Sequence, residues 1–95
     1  MGYALFHLKS KVVIAEYDTL RSARTAMRTS NKNAGYLTRT QRTFKGVVEV
    51  EWCYNGTMHD YAPYAVTHSS YLEFPEKLEI EEQLDTNNNI ILGYN

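Results

Sequence analysis

The sequence predicts an α+β domain: an antiparallel sheet of about five strands with one principal helix packed across one face. Three observations carry this. Two short strand-like segments open the chain, a single stretch of helical period follows, and residues 47–54 alternate cleanly between apolar and polar. The expected order is hairpin, helix, strand, irregular segment, hairpin.

Tyr3 to Leu8 alternates, with Tyr3, Leu5 and His7 on one face and Ala4, Phe6 and Leu8 on the other. Val12 to Tyr17 reads as its partner strand, because branched side chains favour the pleated surface, and Lys9-Ser10 is short enough to join them. Apolar residues on both faces of both strands imply a central position or a covering helix. Asp18 is the expected N-cap of the helix, its carboxylate able to accept from free amides of the first turn. Leu20, Ala23, Ala26, Met27 and Ala34 fall within one helical arc, and Gly35 is placed to end the helix in a left-handed conformation.

Residues 36–45 show no clear period and read as a connection running into the next strand. Along Val47–Tyr54, the side chains of Val48, Val50, Trp52 and Tyr54 share one face, and Glu49 and Glu51 lie on the other, as in a half-buried antiparallel strand. Asn55-Gly56 is a hairpin turn. Tyr64-Ala65-Val66-Thr67 has the form of a short strand, and Ser70 with Glu73 that of a capping box cut short by Pro75. Leu78, Ile80 and Leu84 alternate with glutamates, and Asn89 to Leu92 supplies a partner strand across the turn-like Asp85-Thr86-Asn87-Asn88.

The chain of 95 residues has room for one core, so residues 1–95 are expected to form a single domain. Cys53 is the one cysteine and has no internal disulfide partner, which points to a reducing, cytoplasmic setting. The first eight residues lack a signal-peptide pattern, and no apolar run reaches membrane-spanning length.

Charge is segregated along the chain. Residues 1–45 hold nine basic residues against two acidic ones, and residues 46–95 hold one against nine. Arg21, Arg24, Arg28 and Lys32 share a helical face well away from the apolar one. Three arrangements accommodate this. The halves fold back on one another within the chain. Alternatively, they lie apart and meet between copies or with another protein. In the third, the helix face joins Arg39 and Arg42 as a phosphate-tracking patch for nucleic acid. Trp52, Tyr54, Tyr61, Tyr64 and Tyr71 form a candidate aromatic surface for a partner, although they lie in the acidic half, where carboxylates repel a phosphate backbone.

Candidate chemistry is sparse. Cys53 sits inside a strand beside acidic residues that disfavour a thiolate, so it reads as a buried structural side chain. His59, His68 and Asp60 lack the spacing of a zinc site, and the five glycines are too scattered for a phosphate loop. No catalytic residue, metal or cofactor is assigned. The expected function is that of a small accessory protein, binding itself or another protein. Nucleic acid is the alternative partner, and no membrane role is expected.

Tyr3, the run His7-Leu8-Lys9-Ser10-Lys11-Val12-Val13, then Tyr17-Asp18-Thr19, Ala23, Ala26 and Asn31-Lys32-Asn33-Ala34-Gly35 resemble the opening of small uncharacterised proteins encoded by marine tailed phages, cyanophages especially. The chain departs from that pattern in lacking their Cys-, Pro- and Trp-containing tail. The resemblance implies a setting, host cytoplasm or virion, and no active site.

Overall fold

A computed structural model describes residues 2–37, 39–54 and 59–79. The strands are β1 (Tyr3–His7), β2 (Val13–Tyr17), β3 (Arg39–Phe44), β4 (Val48–Tyr54), β5 (His59–Tyr61) and β6 (Tyr64–His68). Helix α1 (Leu20–Asn33) lies between β2 and β3, and two 3₁₀ turns, Ser69–Glu73 and Pro75–Leu78, follow β6. Every strand pair is antiparallel, in the order β2-β1-β6-β4-β3, with β5 also alongside β4. The expected α+β architecture is therefore the one formed. The expected Asn55-Gly56 turn and the strands beyond Glu79 lie outside the described residues.

Local chemistry explains each element. The first hairpin turns more widely than Lys9-Ser10 alone: Lys11 adopts φ 64° and donates its backbone N–H to His7 O, while His7 N–H reaches Val12 O. Helix α1 is capped by Thr19 and not by Asp18. Thr19 Oγ1 accepts from Ser22 N–H at 3.1 Å, because the helix starts one residue later and Ser22 is its third amide. At the other end Gly35 takes φ 98°, and the bonds Gly35 N–H to Lys32 O and Tyr36 N–H to Asn31 O close a Schellman motif.

Residues 39–44 form an edge strand where a connection was expected. Its apolar period is weak because Gln41 and Thr43 spend their side chains on Glu49 rather than on a core. Lys45 and Gly46 both have positive φ at the β3–β4 turn, the geometry that follows the twist of a tight hairpin. The 3₁₀ turn at Ser69–Glu73 is capped by His68, whose Nδ1 accepts from Ser70 N–H, in place of the expected Ser70 box. Leu78 lies in the second 3₁₀ turn and not in a strand.

The sheet is covered on both faces. Beneath α1, Ala23 and Met27 pack on Leu5 and Val66, with Tyr3, Tyr17, Leu20 and Tyr64 around them. On the other face Phe6, Leu8, Val48, Val50 and Ala65 form a second cluster, sealed by Leu72, Tyr71 and Leu78 from the 3₁₀ turns. The strand that unites them is β6, which pairs with β1 over its whole length and with β4 at Val66 and Thr67.

Candidate interaction surfaces

The helix and strand β4 meet through charge. Glu49 and Glu51 alternate with Val48 and Val50, so burying the valines on one face turns the glutamates toward α1. Arg24 Nη2 lies 3.1 Å from Glu49 Oε1, which also accepts from Gln41 Nε2 at 2.7 Å, and Thr43 Oγ1 donates to Glu49 Oε2 at 2.8 Å. Arg28 Nε lies 3.8 Å from Glu51 Oε2, and Arg28 Nη2 donates to Gln41 Oε1. Glu51 is 2 % exposed. Its Oε1 accepts from Asn31 Nδ2 at 2.8 Å. Asn31, also buried, further donates to Tyr64 O and accepts from Tyr64 N–H.

β4 is thus no half-buried strand with a solvated acidic face. Its glutamates are the counter-ions of the basic helix, and the two oppositely charged halves of the sequence meet within one chain. A third ion pair, Lys11 to Glu79 at 3.9 Å, has the same sense.

The basic candidates whose side chains are described consequently do not form one patch. Arg24 and Arg28 are engaged beneath and beside the helix, while Arg21 and Lys32 remain exposed on it. Arg42 stands opposite Val50 and so projects on the sheet face away from α1, and Arg39 stands opposite Cys53 in β3.

The aromatic candidates divide as well. Trp52 and Tyr61 meet edge to face at 4.4 Å, and Phe44 meets Tyr61 at 5.9 Å. Arg42 lies 5.3 Å over the Trp52 ring and Lys45 lies 5.9 Å over Phe44, both within cation–π range. Burial pushes the Tyr61 hydroxyl above its ordinary pKa, with Arg42 acting in the opposite direction. Tyr64 sits on the helix side against His7, and Tyr71 belongs to a 3₁₀ turn near His68. Tyr54 ends β4 opposite His59. Two cations beside three rings is a grouping that sequence order conceals, since β3 and β5 lie far apart along the chain.

A cleft of about 370 Å³ opens between the start of α1 and the end of β6, lined by Tyr3, Leu20, Glu49, His68, Ser70 and Tyr71 among others. Several of its polar groups already have structural partners. His68 Nδ1 caps the 3₁₀ turn, Thr67 Oγ1 donates to Val47 O, and both Glu49 oxygens accept hydrogen bonds. Cys53 is buried in β4, as expected. Among the described residues no group of three or more His, Cys, Asp or Glu side chains could hold a metal ion, and no helix is long and apolar enough to cross a membrane.

One further surface lies along β2. β1 is central, but β2 is an edge strand that pairs with β1 alone among the described residues. Val12, Val13 and Ile14 are 56 %, 39 % and 53 % exposed. They are three of the five exposed large apolar residues described, and they are consecutive. A register shift between Leu5 and Phe6 leaves Ile14 with no partner on β1. The signal available in the sequence was the first hairpin itself: its second strand leads directly into a helix, so nothing local pairs its far side. Comparison of the chain with protein-family models, curated proteins and solved structures finds no match, so these surfaces are the basis on which function is argued.

Proposed function

We propose that this chain is a small accessory binding module that docks a protein strand, from another copy or a different protein, along the β2 edge. The observation that carries this is the run of three exposed apolar residues on an edge that no other described strand pairs. Natural edges are guarded by charge, proline, bulges or cover; β2 has one register shift and the charge of Glu16, but the exposed run Val12-Val13-Ile14 is apolar and offers a template for pairing. The ion pairs under α1 support the same reading, because they neutralise much of the basic face that would otherwise favour a nucleic acid. A phage setting, host cytoplasm or virion, follows from the sequence resemblance.

The test is selection of random extended peptides on the full chain. Enrichment of Val- and Ile-rich peptides that no longer bind a Val13→Lys variant is the expected result. Enriched peptides indifferent to that change would sink the proposal.

A second reading has its own observation: Arg42 and Lys45 lie over aromatic rings, joining the cations and stacking surfaces that single-stranded nucleic acid uses. Oligonucleotide affinity falling steeply with salt, and lost in Arg42→Glu, is its expected signature. Arg24 and Arg28 are poor probes here, since changing them also removes partners of Glu49 and Glu51.

A further inference from the structure

We infer that the occupant of the β2 edge is the same edge of a second copy of this chain, paired antiparallel about a twofold axis so that two sheets become one. The inference rests on the docking reading above and names its partner.

The charge pattern of β2 argues for it. The apolar run Val12-Val13-Ile14-Ala15 is preceded by Lys9 and Lys11 and followed by Glu16 and Asp18. Antiparallel self-pairing lays the basic end of each strand against the acidic end of the other. Parallel pairing would set like charges together, which is destabilising across strands. Lys9 and Asp18 carry most of this complementarity, both being exposed. Lys11 Nζ is partly engaged, donating to Leu8 O at 2.6 Å and lying 3.9 Å from Glu79, and Glu16 accepts from Ser69 Oγ. Self-complementarity in both apolar content and charge is what an isologous contact requires. A foreign strand would need no such symmetry.

Pairing Lys9 with Asp18 and Lys11 with Glu16 places the twofold axis between Val13 and Ile14. Ile14, the extra residue at the β1–β2 register shift, is about half exposed, and a second strand would cover it. The opposite edge of the sheet is built differently. β3 presents Thr40, Arg42 and Thr43, all exposed, and its charge discourages pairing. The strand is only five residues long, so the contact is smaller than a standard interface and association should depend on concentration.

The experiment is solution mass by light scattering across concentration and salt, with amide exchange at residues 12–17, on the full wild-type chain and on folded variants checked by circular dichroism. The wild type should double its mass as concentration rises, with protection of those amides appearing in step. Ile14→Lys and, separately, Val12→Lys should remain monomeric. Lys9→Glu should weaken the dimer several-fold, and Lys9→Glu combined with Asp18→Lys should restore it, both effects shrinking at high salt. A dimer unaffected by Ile14→Lys and Val12→Lys would overturn the inference, and the docking reading with it. A monomer with protected edge amides would overturn both too, by showing the edge covered within the chain. A monomer whose edge amides exchange freely would overturn the second copy alone and leave the edge open to another protein.

Discussion

The two faces of the sheet are sealed by different means. Away from α1, Phe6, Leu8, Val48, Val50, Ala65 and Leu78 make a core of hydrocarbon, closed by the 3₁₀ turns. Under α1 the apolar cluster is smaller, with Leu5, Ala23, Met27 and Val66 at its centre, and beside it runs a polar network through Arg24, Arg28, Asn31, Gln41, Glu49 and Glu51. The difference teaches what segregated charge along a chain is for in this fold. The basic helix and acidic strand are complementary parts of one layer, and the exposed apolar run among the described residues lies on an edge strand.

Phe6→Ala should show the largest effect. It removes a fully buried ring from the hydrocarbon face and should cost about 3–5 kcal/mol, read as a fall in the urea midpoint. Asn31→Ala probes the wired face. It removes one hydrogen bond from each of Tyr64 N–H, Tyr64 O and a Glu51 oxygen, and should cost about 2–4 kcal/mol. A cost near zero would mean that the network merely tolerates burial, and the contrast between the faces would collapse. Arg24→Met tests the rim of the same network. The pair with Glu49 is partly exposed, so the loss should stay below about 1 kcal/mol.

The smallest effect concerns pH. Burial holds the Tyr61 hydroxyl protonated beyond its ordinary range, and Arg42 opposes this. A raised folded-state pKa leaves its contribution to stability intact below about pH 10 and removes it as pH climbs further. Tyr61→Phe should therefore lessen the loss of stability above about pH 10 that the wild type shows in urea titrations. An unchanged profile would place the alkaline loss elsewhere.

Where element boundaries depended on neighbours in sequence, most were legible, the exceptions being the caps, Thr19 for Asp18 and His68 for Ser70. The first hairpin, the helix with its stop at Gly35 and the alternation of β4 all rest on contacts or conformations within a few residues. Asn31 shows the limit. It is four residues beyond Met27, on the buried line of the helix, so its position in the apolar stripe was visible, but its partners Glu51 and Tyr64 are 20 and 33 residues away. β3 was read as a connection for the same reason: its polar side chains are explained only by Glu49 on the next strand. The candidate surfaces fared similarly. Arg42 and Trp52 are both candidates by residue type, but their contact needs the β3–β4 register.

By itself, then, the sequence determined the class of fold, the positions of the hairpin and helix, the burial of Cys53 and the separation of charge into two halves. These follow from periodicity, turn chemistry and composition, which act locally. Only the tertiary structure decided that β6 enters the middle of the sheet, that Glu49 and Glu51 face the helix, and that β2 pairs with β1 alone among the described residues. Each of those depends on which strand lies beside which. Pairing order is settled by burying both faces of the whole sheet at once, a condition that no single segment carries.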